Sequence, residues 1–210
     1  NSFYLTLGGR EEGKYDENYN IFEAIRFGSL QRVAEIIEAD GSKIESTFEG
    51  EEEEYNKFTV RSYNINGATP LSFAVFYRDI GIVQYLLDNI NDESVLLHRD
   101  EDGWNAFAYA CAFGTLDIIK ALIQKYPDFV NWEKDEKNGL HMASLYGNIS
   151  VLDYLVNDLK IDINSTNDEG KGVLHYATDY NIYYEEIEDA LIKLGAKRDY
   201  DDYEEDEEDY

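Results

Sequence analysis

Four segments of the chain repeat one pattern. Gly67-Ala68-Thr69-Pro70-Leu71-Ser72-Phe73-Ala74 begins the first, and Gly103-Trp104-Asn105-Ala106-Phe107-Ala108-Tyr109-Ala110 the second. Asn138-Gly139-Leu140-His141-Met142-Ala143 and Gly172-Val173-Leu174-His175-Tyr176-Ala177 begin the third and fourth. The aligned alanines Ala74, Ala110, Ala143 and Ala177 lie 36, 33 and 34 residues apart. A fixed period of that size implies stacked repeat units, each of which needs its neighbours to bury its apolar face. Such stacks mostly present surfaces rather than build reaction pockets.

Within each unit a Gly-containing turn leads into a short helix with small residues on one face, such as Ala106, Ala108, Ala110 and Ala112. A break follows at Gly114 or Gly147. A second helix then carries paired aliphatics at helical spacing: Ile82-Val83 with Leu86-Leu87, Ile118-Ile119 with Leu122-Ile123, and Val151-Leu152 with Leu155-Val156. The alanines allow close approach of neighbouring helices, and the aliphatic pairs fill the space between layers.

This grammar resembles the ankyrin repeat from about Tyr63 to Lys197. Thr69-Pro70-Leu71, His141, His175 and Gly195-Ala196 match the family pattern directly. An earlier unit, Ile21 to Gly28 followed by Val33 and Ile36-Ile37, is similar to a first, capping repeat. Departures are Ala106 and Gly139 in place of the proline, and Arg78 and Asn181 in place of the second glycine. The resemblance implies an all-α solenoid of about five stacked helix-turn-helix units with β-turn loops. Residues 1–18 read as an extension and 19–198 as the repeat domain. Its first repeat spans 19–40, an acidic insertion 41–62, and later repeats begin near 63, 99, 132 and 166. Residues 199–210 hold nine acids, three tyrosines and no base. They are expected to be a disordered tail, since they repel one another and have no aliphatic face to bury.

The formal net charge is −27, with 45 acids against 18 Lys and Arg. Charge of this sign argues against binding nucleic-acid phosphates or anionic membranes, and favours basic partners. No run approaches the roughly 18 apolar residues of a membrane span. The single cysteine, Cys111, excludes an internal disulfide framework and fits an intracellular protein, cytoplasmic or nuclear. Two glycosylation triplets occur, at Asn148 and Asn164.

Chemistry-bearing motifs are sparse. His141 and His175 occupy equivalent repeat positions, where the resemblance implies structural hydrogen bonds. Cys111 stands at a packing position and reads as a buried thiol. Asp100-Glu101-Asp102-Gly103 lacks the preceding acid that a calcium loop needs, because His98 stands there. The chain is expected to be no enzyme and to need no cofactor or metal.

Two residue sets point to binding instead. Phe27, Tyr77, Phe113, Tyr146 and Tyr180 end the first helix of their units, so stacking would align them in a column. That column either packs upon itself or lines a groove. The turns offer Tyr63, Trp104 and Trp132, with Asp100, Asp102 and Asp168 at their tips; for Trp104, packing and partner contact are equally open. By the resemblance, turn tips and inner helix faces carry partner contacts. The expected surface is therefore aromatic at its centre and acidic around it, on a monomer that binds a basic protein or a Lys/Arg-rich segment, as a chaperone or adaptor does. The alternative is an inhibitor that imitates nucleic acid, as a viral antagonist of host defence would.

Overall fold

The structure, a computed structural model, describes residues 20–49, 51–55, 60–131, 133–134, 137–166, 170–178 and 184–198. Five helix pairs follow one another along the chain: α1 (Ile21–Arg26) with α2 (Leu30–Ala39), and α3 (Pro70–Phe76) with α4 (Ile80–Asn89). After the short α5 (Glu93–Leu96) come α6 (Ala106–Phe113) with α7 (Leu116–Lys125). The last two pairs are α8 (Gly139–Leu145) with α9 (Ile149–Asp153), and α10 (Val173–Thr178) with α11 (Tyr184–Lys193). The helix α9 runs into a π-helical turn over Tyr154–Asp158. First helices pack in sequence, α1 on α3, α3 on α6, α6 on α8 and α8 on α10. The second helices form a parallel row in the same order. This is an all-α solenoid, and among the described residues strands are confined to two hairpins in the connections.

The helices start where the chain supplies acceptors for their orphan N–H groups. Asn20 and Glu23 form a reciprocal capping box on α1, with bonds of 3.0 and 3.1 Å. Thr69 caps α3 and Pro70 occupies its first turn, while Asn105 and Asn138 cap α6 and α8.

The core is the row of small and aliphatic side chains that repeat periodicity selects. All eight residues of α6 are buried, because this helix has neighbours on three sides. Ile82, Val83, Leu86, Leu87, Ile118, Ile119, Leu122, Val151, Leu152 and Leu155 are buried from one repeat interior to the next. Full burial of each such side chain contributes roughly 1.5–3 kcal/mol.

The breaks between paired helices show how the departures from pattern are accommodated. Gly28 and Gly147 take left-handed backbone, φ 68° and 71°. Arg78 adopts the same conformation, φ 59°, at a cost of roughly 1–2 kcal/mol for an L-residue. Its Nε donates to the Phe113 carbonyl at 2.5 Å, a bond that offsets part of that strain. Gly114 is different: its φ is −71°, but a Cβ there would stand 2.7 Å from the Ala110 carbonyl oxygen. Close approach, not backbone sign, requires that glycine.

The described residues of the acidic insertion include regular structure. Gly41–Glu45 forms a 3-10 turn, and Phe48 pairs its main chain with the next turn, accepting from Gly67 N at 2.7 Å and donating to Ala68 O at 2.9 Å. β1 (Glu51–Tyr55) and β2 (Val60–Asn64) then form an antiparallel hairpin that sets Glu51 opposite Asn64 and Tyr55 opposite Val60. The run of four glutamates is therefore a strand. A second, two-residue hairpin, β3 (Glu133–Lys134) with β4 (Lys137–Asn138), precedes α8. The expected N-terminal extension to residue 18 and the acidic tail from residue 199 lie outside the described residues.

Candidate functional site: an aromatic ladder across the stack

Three members of the aromatic column expected at the ends of the first helices, Tyr77, Phe113 and Tyr146, are part of a longer ladder of rings. Phe48 and Phe22 meet edge to face at 5.3 Å, and both contact Phe73, at 4.8 and 5.2 Å. Phe73 contacts Tyr77 at 5.1 Å, and Tyr77 contacts Phe76 at 5.5 Å. Phe76 crosses to the third unit, touching Phe113 at 5.4 Å. Phe113 reaches Tyr146 in the fourth unit at 4.8 Å. Trp104 spans this junction, 5.6 Å from Tyr146 and 6.3 Å from Phe113. Beyond it, His141 contacts Tyr176 of the fifth unit at 4.9 Å. The offset and edge-to-face geometries are those that ring quadrupoles favour, worth about 0.5–1.5 kcal/mol per pair beyond burial.

The ladder is graded in exposure. Phe22, Phe73, Tyr109 and Phe113 are buried, Phe76, Tyr77, Trp104 and Tyr146 are half-buried, and Phe27 is 45% exposed. Three residues after Phe27, Tyr77, Phe113 and Tyr146 comes the first residue of a second helix: Leu30, Ile80, Leu116 and Ile149. Leu30, Ile80 and Ile149 are exposed and Leu116 half-buried, which makes a second apolar row beside the first. Arg26 hydrogen-bonds the Tyr77 hydroxyl; burial raises that phenol's pKa, and the Arg26 charge offsets part of the rise.

The turn acids part company. Asp102 is exposed, as expected of a tip. Asp100, expected beside it on the surface, is only 7% exposed and organises the turn from within. Its Oδ1 accepts from Trp104 N at 2.8 Å and its Oδ2 from the Tyr109 hydroxyl at 2.5 Å. Its main chain exchanges bonds with Trp104 and Gly103, both 2.9 Å. Burial raises the Asp100 pKa, with the Tyr109 and Trp104 donors opposing it. Burial and the adjacent Asp100 charge push the Tyr109 phenol far up.

Adjacent turns are joined laterally. His98 Nε2 lies 3.0 Å from the Gly67 carbonyl, and Glu101 N donates to Asn66 O at 3.0 Å. His141 Nδ1 accepts from Asn138 N at 3.2 Å, completing the cap of α8, so its other nitrogen carries the proton when neutral. Cys111 is fully buried and its thiol is pushed up by desolvation, which leaves it protonated and unreactive. The amides of both glycosylation triplets are occupied: Asn148 Nδ2 donates to Gly114 O at 3.0 Å, and Asn164 Nδ2 to Gly195 O at 3.2 Å.

The structure thus brings Tyr77, Trp104, Phe113 and Tyr146 into one ladder and leaves Asp102 at a nearby turn. Tyr63 lies on β2, with only its backbone described, and Trp132, Asp168 and Tyr180 lie outside the described residues. Phe76, Tyr109 and Arg78 escaped the reading of the sequence. The pair Phe76-Tyr77 was a signal for the first, and an acid nine residues before a tyrosine on a helix was one for the second.

Beside the ladder, between the second and fourth units, lies a cleft of about 240 Å³ whose walls include Arg78, Phe113, Gly114, Thr115, Tyr146 and Asn148. Among the described residues no cluster of three or more His, Cys, Asp or Glu is placed to hold a metal ion, and no helix is long and apolar enough to cross a membrane.

Comparison with known proteins agrees with this architecture. A family model described as ankyrin repeats in three copies matches residues 21–132, and one described as ankyrin repeats in many copies matches 140–183. Alpha-latrocrustotoxin-Lt1a of Latrodectus tredecimguttatus is 30% identical over 103 residues, 49% of this chain and 7% of the toxin. The ANK repeat-containing protein nipk-1 of Caenorhabditis elegans is 23% identical over 158 residues, 67% of this chain and 26% of that protein. The chain therefore spans a minor part of either relative. The crystal structure of the ankyrin repeat protein EF0377 superposes with a TM-score of 0.59 at 24% identity, covering 88% of this chain and 84% of that one.

Proposed function

Since the chain belongs to the ankyrin repeat family, we propose that it is a non-enzymatic protein-binding module that holds a basic protein partner against the aromatic ladder. The observation that carries this reading is the ladder's continuity: ring contacts run unbroken from Phe22 to Tyr146, with half-buried members along the way. Half-buried aromatic side chains combine large area with few rotatable bonds, which is why they anchor interfaces. Tyr77, Trp104 and Tyr146 are the contact centre, with Asp102 on the rim; Phe113, expected beside them, is buried and supports their rings from behind. Tyr63, Trp132, Asp168 and Tyr180 are assigned to the same contact set from their repeat positions in the sequence alone. Asp100 acts indirectly, by fixing the turn that positions Trp104.

The net charge of −27 supports a cationic partner, since a one-signed field raises encounter rates and repels acidic competitors. Much of that steering is screened beyond about 8 Å at physiological ionic strength, so it acts on rate more than on affinity. The tail from residue 199 would extend the field as an acidic arm.

The test is affinity capture from a native lysate at low and physiological salt, with mass spectrometry of what is retained. Wild type is compared with Trp104→Ala/Tyr146→Ala and with a chain ending at Arg198. Captured proteins should be predominantly basic, should be lost with the double substitution, and should associate more slowly without the tail. Capture indifferent to the double substitution removes the ladder as the contact surface. Capture indifferent to salt and tail removes the electrostatic part.

A further inference from the structure

Trp104 is a fixed ring with an unused donor. Asp100 takes its main-chain N–H at 2.8 Å, and its ring meets Tyr109, Tyr146 and Phe113 at 5.2, 5.6 and 6.3 Å. Among the described residues its indole N–H meets no acceptor, and it is open to solvent. An indole nitrogen only donates, so this group suits a ligand that brings a carbonyl oxygen.

The apolar row beside the ladder sets a spacing. Ile80 is 40% exposed, Ile149 38%, and Leu116 between them is half-buried. Each begins the second helix of its unit, and α4 packs on α7 as α7 packs on α9. Packed helices stand roughly 8–10 Å apart, so the row offers one apolar contact per step of that size. A polyproline II segment repeats its face every three residues, or about 9.3 Å. A β-strand turns every third side chain to its opposite face. An α-helix offers about 5.4 Å for one turn or about 10.5 Å for seven residues, and neither falls in the range.

We propose that the ladder face binds a proline-rich segment of the partner in the polyproline II conformation. Every third residue lies on Ile80, Leu116 or Ile149, and one main-chain carbonyl accepts from the Trp104 indole N–H. Such a segment has no internal hydrogen bonds, so its carbonyls are unspent, and its stiffness lowers the entropy lost on binding. Its proline rings pack on aromatic side chains, here the half-buried Trp104 and Tyr146. Lys or Arg at the other positions of each triplet face acids. Glu101 and Asp102 are exposed in the turn before Trp104, and Asp117 is exposed next to Leu116. Arg78 is exposed two residues before Ile80, so the basic residues belong toward the third and fourth units. This inference rests on the reading that the ladder face takes a basic protein partner.

The full 15N-labelled chain at physiological salt is titrated with three capped peptides of equal charge. Each is a triplet repeated four times: Lys-Pro-Pro, the flexible Lys-Gly-Ser, and the helix-forming Lys-Ala-Ala. The indole resonance missing from Trp104→Phe identifies that of Trp104. The proline peptide should shift this resonance and the amides of Leu116 and Ile149 saturably, at least tenfold more tightly than the other two. Trp104→Phe keeps a ring and removes the donor; it should weaken binding roughly 2- to 10-fold, with retained amide dispersion verifying its fold. Equal affinity for all three peptides, or no shift with the proline peptide, overturns the assignment. Tightest binding of Lys-Ala-Ala overturns it in favour of a helical occupant. Unchanged affinity in Trp104→Phe removes the indole bond. Native partner capture lost in Trp104→Ala/Tyr146→Ala, but not displaced by the proline peptide, sinks this occupant and leaves the ladder standing. Capture intact in that double variant sinks the ladder reading itself.

Discussion

The Tyr109 hydroxyl donates a 2.5 Å hydrogen bond to Oδ2 of Asp100, joining the middle of the central helix to the turn that precedes it. The other carboxylate oxygen takes the main-chain N–H of Trp104. One buried acid thus couples the most enclosed helix of the stack to the tryptophan of the ladder. Tyr109→Phe keeps the ring and removes the donor, leaving part of a buried carboxylate unsatisfied. The expected loss is about 1–3 kcal/mol, read as a lower urea midpoint with an unchanged slope. Trp104 fluorescence should change as its turn loosens.

The same acid gives a signed pH dependence. Burial raises its folded pKa above the unfolded value of 3.8. Folding therefore takes up protons in this window: the contribution is fully present below pH 3.8 and is lost as pH rises through the folded pKa. Comparing wild type with Asp100→Asn isolates it from the other acids. The stability of wild type relative to the variant should fall as pH rises from the low threes through that range, and be flat above it. A relative stability that rises with pH would show that the hydrogen bonds outweigh burial.

Two glycines separate steric need from indifference. A Cβ at Gly114 would meet the Ala110 carbonyl oxygen at 2.7 Å and its Cα at 2.8 Å, whereas at Gly41 nothing lies within 4 Å. Gly114→Ala should cost about 1–3 kcal/mol by overpacking a backbone that cannot yield. Gly41→Ala should stay within about 0.5 kcal/mol of wild type. Thermal melts of the two variants side by side decide the point.

Asn164 clamps the end of the last unit. Its amide donates to Gly195 O at 3.2 Å and its Oδ1 accepts from Lys197 N at 2.9 Å, across more than thirty residues. Asn164→Ala should raise hydrogen exchange in α11 while sparing α6, with a global loss of about 0.5–1.5 kcal/mol. Equal protection of α11 in both proteins would show that packing of Ile187 and Leu191, not the clamp, holds that helix.

Much of the fold was legible because its cause is periodic. Spaced alanines and aliphatic pairs state which faces meet, and stacking follows from the need to bury them. The aromatic column was legible for the same reason: Tyr77, Phe113 and Tyr146 recur at one position. Asp100 was misplaced on the surface because its partner, Tyr109, belongs to the following helix, and the spacing of nine residues was not weighed against the turn's own pattern. The run Glu51–Glu54 was legible only as part of an acidic insertion, since glutamate disfavours strands. Pairing with β2 outweighs that preference.

The one-dimensional order of the chain determined what every repeat shares: the helix pair, its caps, the apolar faces and the overall sign of charge. These depend on spacings within about one period, where neighbours in sequence are neighbours in space. Tertiary structure alone decided the inward turn of Asp100 within its repeat and, between repeats, the reach of Arg78 to Phe113 and the ring contacts across units. The Arg78 and Phe113 partners lie 35 residues apart and meet only after stacking has set the distance between layers.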